Sequence, residues 1–251
     1  MKGDAVPATI DVHGPAKRVL MVVSNPSTSR QTGWPIGFWW AELTHPYWEF
    51  TEVGYEVTIA SPDGGAVRAD AFSDPADASG YSAHDLISRG FIASPEHASL
   101  VERTPALDGV DEASFDAVFL VGGQGPMYTF RDDQRVKDLV GRFVATGKVA
   151  AVVCHATCVL LDATTPDGEL VVKGRTWTGF ANSEEAYADE FVGRRIQPFW
   201  IEDEAARLVD TNFIVQGRFR PHAVRDGNLV TGQQQYSGAA AARLVVEALG
   251  R

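Results

Sequence analysis

Two cysteines and a histidine share one short stretch of this sequence, Val149-Ala-Ala-Val-Val-Cys-His-Ala-Thr-Cys-Val-Leu-Leu-Asp162. Its first half is a Val-rich apolar run, the pattern of a strand buried on both faces. From His155 onward, Ala156, Val159, Leu160 and Ala163 recur at helical spacing. The change falls at Cys154-His155, with no Gly or Pro to make a loop, so strand is expected to turn directly into helix. Such an elbow exposes the side chain at its corner, and a helix N-terminus behind it favours a thiolate. Cys154 is therefore the candidate nucleophile or redox thiol, expected to ionise well below the reference value of about 8.5. Cys158 reads as ordinary core, and its i, i+4 spacing from Cys154 suits a disulfide poorly.

Three further features belong at the carboxyl edge of the same sheet, where open α/β folds place their sites. Gly122-Gly123 follows an apolar run directly, so backbone N–H groups there can approach a ligand. Together with the His155 amide, Gly123 could form an oxyanion hole. Glu42 lies in a helical turn with Trp39, Trp40 and Leu43. It is either a carboxylate on a solvated face or a proton shuttle with a raised pKa. His155 can fold back toward the thiol if a carboxylate fixes its tautomer. Glu184 and Glu185 are candidates for that role, and either could instead be a first-turn helix charge.

The elements that must position these groups follow from the pattern. Strands are expected at 18–24, 55–60 and 116–121, in addition to the run before Cys154. A short helix is expected at 37–44, with Pro46 starting a second helix that Gly54 ends. Val136, Leu139, Val140, Phe143 and Val144 line one face of another helix, closed by Gly147. Residues 170–174 and 175–179 read as short strands, Asn182 as a helix cap, and 198–208 as a helix. A hairpin with an Asp-Gly turn occupies 223–230, and Ser237 caps a final Ala-rich helix. Residues 1–16 read as a loose arm, 17–251 as a single domain, and about 63–111 as a loop-rich insertion over the sheet. The fold class is α/β, a doubly wound, mostly parallel sheet sandwiched by helices.

The chain has 251 residues, 45% of them hydrophobic and 22% charged, with a formal net charge of −11. That is ordinary globular composition, long enough for one sizeable α/β domain. The acidic balance and the absence of a basic run exclude nucleic acid and anionic membranes as natural partners. No apolar segment reaches membrane-span length, and the first residues lack the apolar core of a signal peptide. With two cysteines, a reducing, cytoplasmic location is expected. No cofactor and no metal are called for.

The residues also carry a family resemblance. Val152-Val-Cys-His-Ala156, Gly122-Gly-Gln-Gly125 and Thr178-Gly-Phe-Ala-Asn-Ser-Glu-Glu185 together resemble the ThiJ/PfpI superfamily, with its flavodoxin-like, class I glutamine amidotransferase-like fold. Gly37-Phe-Trp-Trp-Ala-Glu-Leu-Thr-His-Pro-Tyr47 and Gly54-Tyr-Glu-Val-Thr-Ile-Ala-Ser-Pro62 resemble the branch of glutathione-independent glyoxalases (glyoxalase III) and related stress chaperones. The resemblance implies Cys154 as nucleophile, His155 beside it, Glu42 as acid–base carboxylate and Gly123 in the oxyanion hole. It implies Glu185, rather than Glu184, as the third member of the triad. The chain departs from the branch at Gln124, where His is usual, at Ala156, where Gly is usual, and at Gln234-Gln-Tyr-Ser237. Trp39, Trp40 and Trp177 are bulkier than usual, and Trp39, Gln124 and Trp177 are expected pocket residues.

The expected function is a cysteine-dependent lyase acting on a small carbonyl compound, most simply methylglyoxal plus water to lactate, in a homodimer. The alternatives are an amidase or peptidase of the same superfamily, and a redox-sensing holdase using Cys154. A true amidotransferase would need a His and a Glu two residues apart near the C-terminus, and His222-Ala-Val-Arg225 offers no such pair.

Overall fold

The computed structural model describes residues 16–250; the expected arm lies almost wholly outside that range. Six strands form the main sheet: β1 (Arg18–Val22), β2 (Glu56–Ala60), β3 (Ala117–Leu120), β4 (Val149–Val153), β5 (Ala223–Asp226) and β6 (Leu229–Gly232). Their order is β2-β1-β3-β4-β6-β5, with all neighbours parallel except the final β6-β5 hairpin. This is the doubly wound, mostly parallel sheet expected from the alternation of elements. Val22 pairs with Leu120, and Leu120 with Val152. The carboxyl ends of β1, β3 and β4 therefore finish level, and whatever follows them is brought to one edge.

Strand alternation divides the core in two. Val19 and Met21 of β1, with Ala151 and Val153 of β4, face one side, where they meet Leu43 and Phe50 of α1 (Trp40–Glu52). Phe91 of α2 (Leu86–Ala93) and Val101 of α3 (Pro95–Glu102) join that side. Leu20, Val22, Ala150 and Val152 face the other, where they meet Val136, Leu139 and Phe143 of α4 (Gln134–Ala145). The chain continues through α5 (Asn182–Val192) and α6 (Ile201–Ala205) to α7 (Gly238–Leu249). Among the described residues, no helix is long and apolar enough to cross a membrane.

Several local expectations are corrected. Pro46 does not separate two helices: α1 runs through it. A proline inside a helix removes one backbone bond at a cost of about 3 kcal/mol. Here the ring is buried against the start of α7, where a Cβ on Gly238 would stand 3.1 Å from Pro46 Cγ. Leu170 forms an isolated bridge with Thr164 and residues 171–174 are turns, with Gly174 N–H donating to Asp210 O, although Val171 and Val172 are buried. The helix expected over 198–208 shrinks to α6. Asn182 is the first residue of α5 rather than its cap, and the Ala181 N–H is taken by Glu184 Oε2 at 3.1 Å. The Ser237 hydroxyl accepts from His222 N and Gln234 N instead of capping α7. The insertion is more ordered than its composition suggests, since it contains α2 and α3, and Phe91 and Val101 are core residues.

Candidate active site

Cys154 follows β4 at once, with φ +55°, a left-handed conformation that a non-glycine residue adopts only under strain. It opens a 3₁₀ helix, Cys154–Leu161, in place of the expected α-helix. The side chain is 3% exposed and lies at the floor of a cavity of about 200 Å³. Its Sγ is 3.5 Å from His155 Nδ1, and His155 Nε2 is 3.0 Å from Glu185 Oε1. The carboxylate holds the proton on Nε2 and turns Nδ1 toward the sulfur. Phe180 stacks on the imidazole at 4.0 Å between centroids and fixes its plane. Burial alone would pull the His155 pKa down, but the Glu185 carboxylate, with the charges of Glu42 and Asp70, offsets it and the net direction is up.

The sulfur also faces the Gly123 and His155 backbone amides, which draw the thiol pKa down. The larger effects oppose them: burial, then the charge of Glu42, push the Cys154 thiol well above its ordinary value. The direction is opposite to the depressed value expected from the elbow. Two physical reasons stand out. The corner is buried rather than open, and a carboxylate sits beside the sulfur.

That carboxylate, Glu42, lies in the first turn of α1 and is fully buried. Among the described residues no group makes a full hydrogen bond to either of its oxygens; the Cys154 thiol and the Gly122 amide are the donors that approach it. Burial pushes its pKa up to about 7, with the Asp70 charge adding to the rise. Gly122 is the hinge of the arrangement. A Cβ there would stand 2.3 Å from Glu42 Oε2 and 2.7 Å from Cys154 Cβ, so only glycine lets the carboxyl and the thiol meet. Gly123 adopts φ +108°, and a Cβ on it would collide with the Gly37 carbonyl and the Trp39 amide at 2.6 Å.

Cross-links keep this floor rigid. Trp39 N–H donates to Gly122 O at 3.0 Å, and Gly125 N–H to Gly37 O at 2.7 Å. Asp70, which sequence reading passed over, is the clamp on both loops: its carboxylate accepts from Gly37 N at 3.0 Å and Gln124 N at 2.6 Å. It too is buried, and burial raises its pKa to about 7. Its signal in the sequence is an acid between Ala69 and Ala71, just ahead of Phe72, within the loop-rich insertion expected over the sheet.

Cys154, His155, Glu42, Glu185 and Gly123 are brought together as expected, and Trp39 and Gln124 line the cavity above them. Trp177 does not. It is fully buried in the core on the Leu20 and Val152 side of the sheet, donates its Nε1–H to Thr211 at 2.8 Å and packs edge-on against Phe213. Trp40 also points away, against Phe38 and Phe91. Glu184 is occupied structurally, since beyond Ala181 it accepts from Phe219 N and Gln233 Nε2. His222 is likewise absent from the cavity lining. Sequence reading missed most of the cavity wall: Phe72 and Tyr81 from the insertion, Tyr187 and Phe191 from α5, and Gln197 and Phe219 from later loops.

Fold, elbow and buried carboxylate together define a cysteine-centred α/β protein with its site at the strand ends. Residues 37–248 match the DJ-1/PfpI family, and the chain belongs to it. The glutathione-independent glyoxalase hsp3101 of Schizosaccharomyces pombe is 28% identical over 170 residues, 61% of this chain and 62% of that protein. Glyoxalase 3 of Candida albicans is 24% identical over 92% of this chain and 98% of its own length. The deglycase PfpI of Pyrococcus furiosus is 25% identical over 69% of this chain and 80% of that protein. Among solved structures, glyoxalase III of Candida albicans superposes with a TM-score of 0.74 at 22% identity, covering 92% of this chain and 97% of that one. The 24 kDa rapid encystment protein of Francisella tularensis gives 0.82 at 22% identity, covering 94% and 100%.

Proposed function

We propose that the protein is a cysteine-dependent enzyme converting an α-oxoaldehyde and water to the 2-hydroxy acid, as a glutathione-independent glyoxalase does. The observation that carries the reading is the buried Glu42 carboxyl against the Cys154 thiol, with two backbone amides aimed at the same sulfur. Relatives named glyoxalase support it across nearly the full chain.

The chemistry follows from those groups. Glu42, as carboxylate, takes the thiol proton, and sulfur attacks the aldehyde carbon of the substrate. The Gly123 and His155 amides stabilise the oxyanion that forms, which is protonated to the hemithioacetal. Glu42, again as carboxylate, removes the hydrogen on that carbon and returns a proton to the neighbouring carbon, giving a 2-hydroxyacyl thioester. Water, activated by the His155–Glu185 pair, hydrolyses the thioester to the hydroxy acid and the free thiol. A pKa near 7 suits Glu42 to giving and taking a proton in turn. Lactate formation from methylglyoxal by the purified protein tests the reading, with Cys154→Ala as control. Lactate from the parent and none from the variant is the expected result; no lactate from the parent overturns it.

A further inference from the structure

Three stretches of chain meet around one carboxylate beside the site. The segment before α1, the turn after β3 and residues 68–70 of the insertion approach very closely. A Cβ on Gly37 would overlap the Arg68 carbonyl oxygen, and one on Gly125 would stand 2.7 Å from Gly37 O. Asp70 is tied in by its own backbone, donating its N–H to Phe38 O at 2.7 Å. Its carboxylate oxygens are divided between the other two stretches, Oδ1 accepting from Gly37 N–H and Oδ2 from Gln124 N–H. The residue is 1% exposed, and among the described residues no Lys or Arg pairs with it. A buried carboxylate without a cation is costly, yet only a carboxylate meets both donors. A hydroxyl would offer one oxygen, and an amide of the same shape would turn its NH2 toward one of the two N–H groups.

The consequence falls on Gly123, whose amide faces the Cys154 sulfur. That N–H belongs to the Gly122–Gly123 peptide, whose carbonyl accepts from Trp39 N–H at 3.0 Å. The next peptide, Gly123–Gln124, is held by Asp70 through Gln124 N–H at 2.6 Å. Both peptide planes flanking Gly123 are thereby fixed, with φ at +108°. Glycine has no side chain to favour one backbone setting over another, so nothing within the turn itself keeps the Gly123 N–H on the sulfur. The other Asp70 oxygen holds Gly37, two residues before Trp39, and so secures the partner of the first plane as well.

We infer that Asp70 is a positioning residue for the oxyanion hole: by binding Gln124 N–H and Gly37 N–H together, its carboxylate keeps the Gly123 amide aimed at the oxygen that gains charge on a Cys154 adduct. The inference rests on the reading of the Gly123 and His155 amides as oxyanion donors in the proposed function, and is independent of which carbonyl compound is the substrate.

Two reactions of the same sulfur test it without relying on turnover. In acylation by 4-nitrophenyl acetate, sulfur attacks the ester carbonyl carbon and its proton passes to Glu42. The C–S bond forms through a tetrahedral oxyanion, and the ester C–O bond then breaks to release 4-nitrophenolate. Alkylation by iodoacetamide displaces iodide from a saturated carbon and develops no oxyanion. Both rates are measured at pH 8 on the parent and on Asp70→Asn, with Cys154→Ala as the blank, and acylation is divided by alkylation. The quotient is expected to fall about 10- to 100-fold in Asp70→Asn, the scale of a slightly misplaced group or a weakened oxyanion donor. The Gly123 amide resonance in a ¹⁵N–¹H spectrum is expected to move, while those of Leu20 and Val152 in the sheet stay in place. A quotient equal to the parent's overturns the assignment, and so does a lowered quotient with an unmoved Gly123 resonance. A parent that is alkylated but never acylated has no working oxyanion hole, which overturns it too. Where Asp70→Asn does not fold, Asp70→Ser, which keeps one acceptor, takes its place; failure of both to fold makes Asp70 a support of the whole fold and overturns the inference. A quotient that falls as expected, in a protein whose parent forms no lactate from methylglyoxal, keeps this inference and loses the proposed function. Lactate formation with an unchanged quotient does the reverse.

Discussion

The floor of the cavity and its wall are built by different means. On the floor, Cys154, Gly122 and Gly123 are backbone features at the level ends of β3 and β4, and Glu42 sits in a helical turn tied to them through Trp39 and Gly122. The wall is assembled from side chains far apart in sequence, Phe72 and Tyr81 from the insertion, Tyr187 and Phe191 from α5, and Gln197 from a loop. In the proposed function, the floor fixes the reaction by rigid backbone geometry, and the wall sets what reaches it by the shapes of exchangeable rings. This division teaches where to expect large mutational effects. A change on the floor should alter the rate of chemistry, and a change on the wall should alter the choice of substrate.

The largest break in that comparison is Cys154→Ala, which should reduce oxoaldehyde turnover to background in a lactate assay, because no other group on the floor can form the covalent bond. Glu42→Gln comes next. It keeps the shape and removes the proton relay, so kcat/KM should fall about 10²- to 10⁴-fold, while alkylation of Cys154 by iodoacetamide continues. Glu185→Ala should cost about 10- to 100-fold, the usual worth of a partner that orients an imidazole, with a native far-ultraviolet circular dichroism spectrum. The neighbouring Glu184→Ala should act oppositely. It removes the acceptor for Ala181 N, Phe219 N and Gln233 Nε2, so urea unfolding should show about 2 to 4 kcal/mol of lost stability, with little change in kcat for the protein that remains folded.

Glu42 also links the floor to stability. Burial pushes its carboxyl from an ordinary value of 4.5 up to about 7 in the folded chain. Between those values the unfolded chain has released the proton and the folded chain still holds it, so the folded state loses stability as pH rises through that window. The shift corresponds to roughly 3 kcal/mol above pH 7. Glu42→Gln removes this group's share of the decline. Its stability relative to the parent should therefore rise by about that amount between pH 4 and pH 8 in parallel urea titrations. A difference that stays constant with pH would mean Glu42 is not buried against the thiol.

What could be read from the sequence follows the same line as floor and wall. Strand periodicity and the Cys-His junction without a loop residue marked β4 and its corner, and the Gly-Gly pair marked the end of β3. Glu185, rather than Glu184, meeting His155 agrees with the register implied by the family resemblance. The sign of the Cys154 pKa shift was misread, because the elbow motif carries no information on burial or on which carboxylate stands beside the sulfur. Trp177 was misplaced since bulk alone does not say which face of a short strand a side chain occupies. The wall left little trace: Asp70, Phe72 and Tyr81 fall in a segment rich in Gly, Asp and Ser, where no periodicity marks an inward-facing residue. Pro46 was misjudged because its accommodation depends on Gly238, which lies almost two hundred positions away in sequence.

The central claim is that Glu42 moves protons for a reaction begun by Cys154. The pH dependence of kcat/KM for an oxoaldehyde, measured from pH 5 to pH 9 on the parent and on Glu42→Gln, tests it most directly. Glu42 must be ionised to accept the thiol proton, so the parent rate should rise with pH to a plateau, with its midpoint near 7. In the variant the rate should lie about 10²- to 10⁴-fold lower, and the rise near 7 should vanish. A variant that keeps both the parent's rate and its pH midpoint would contradict the account.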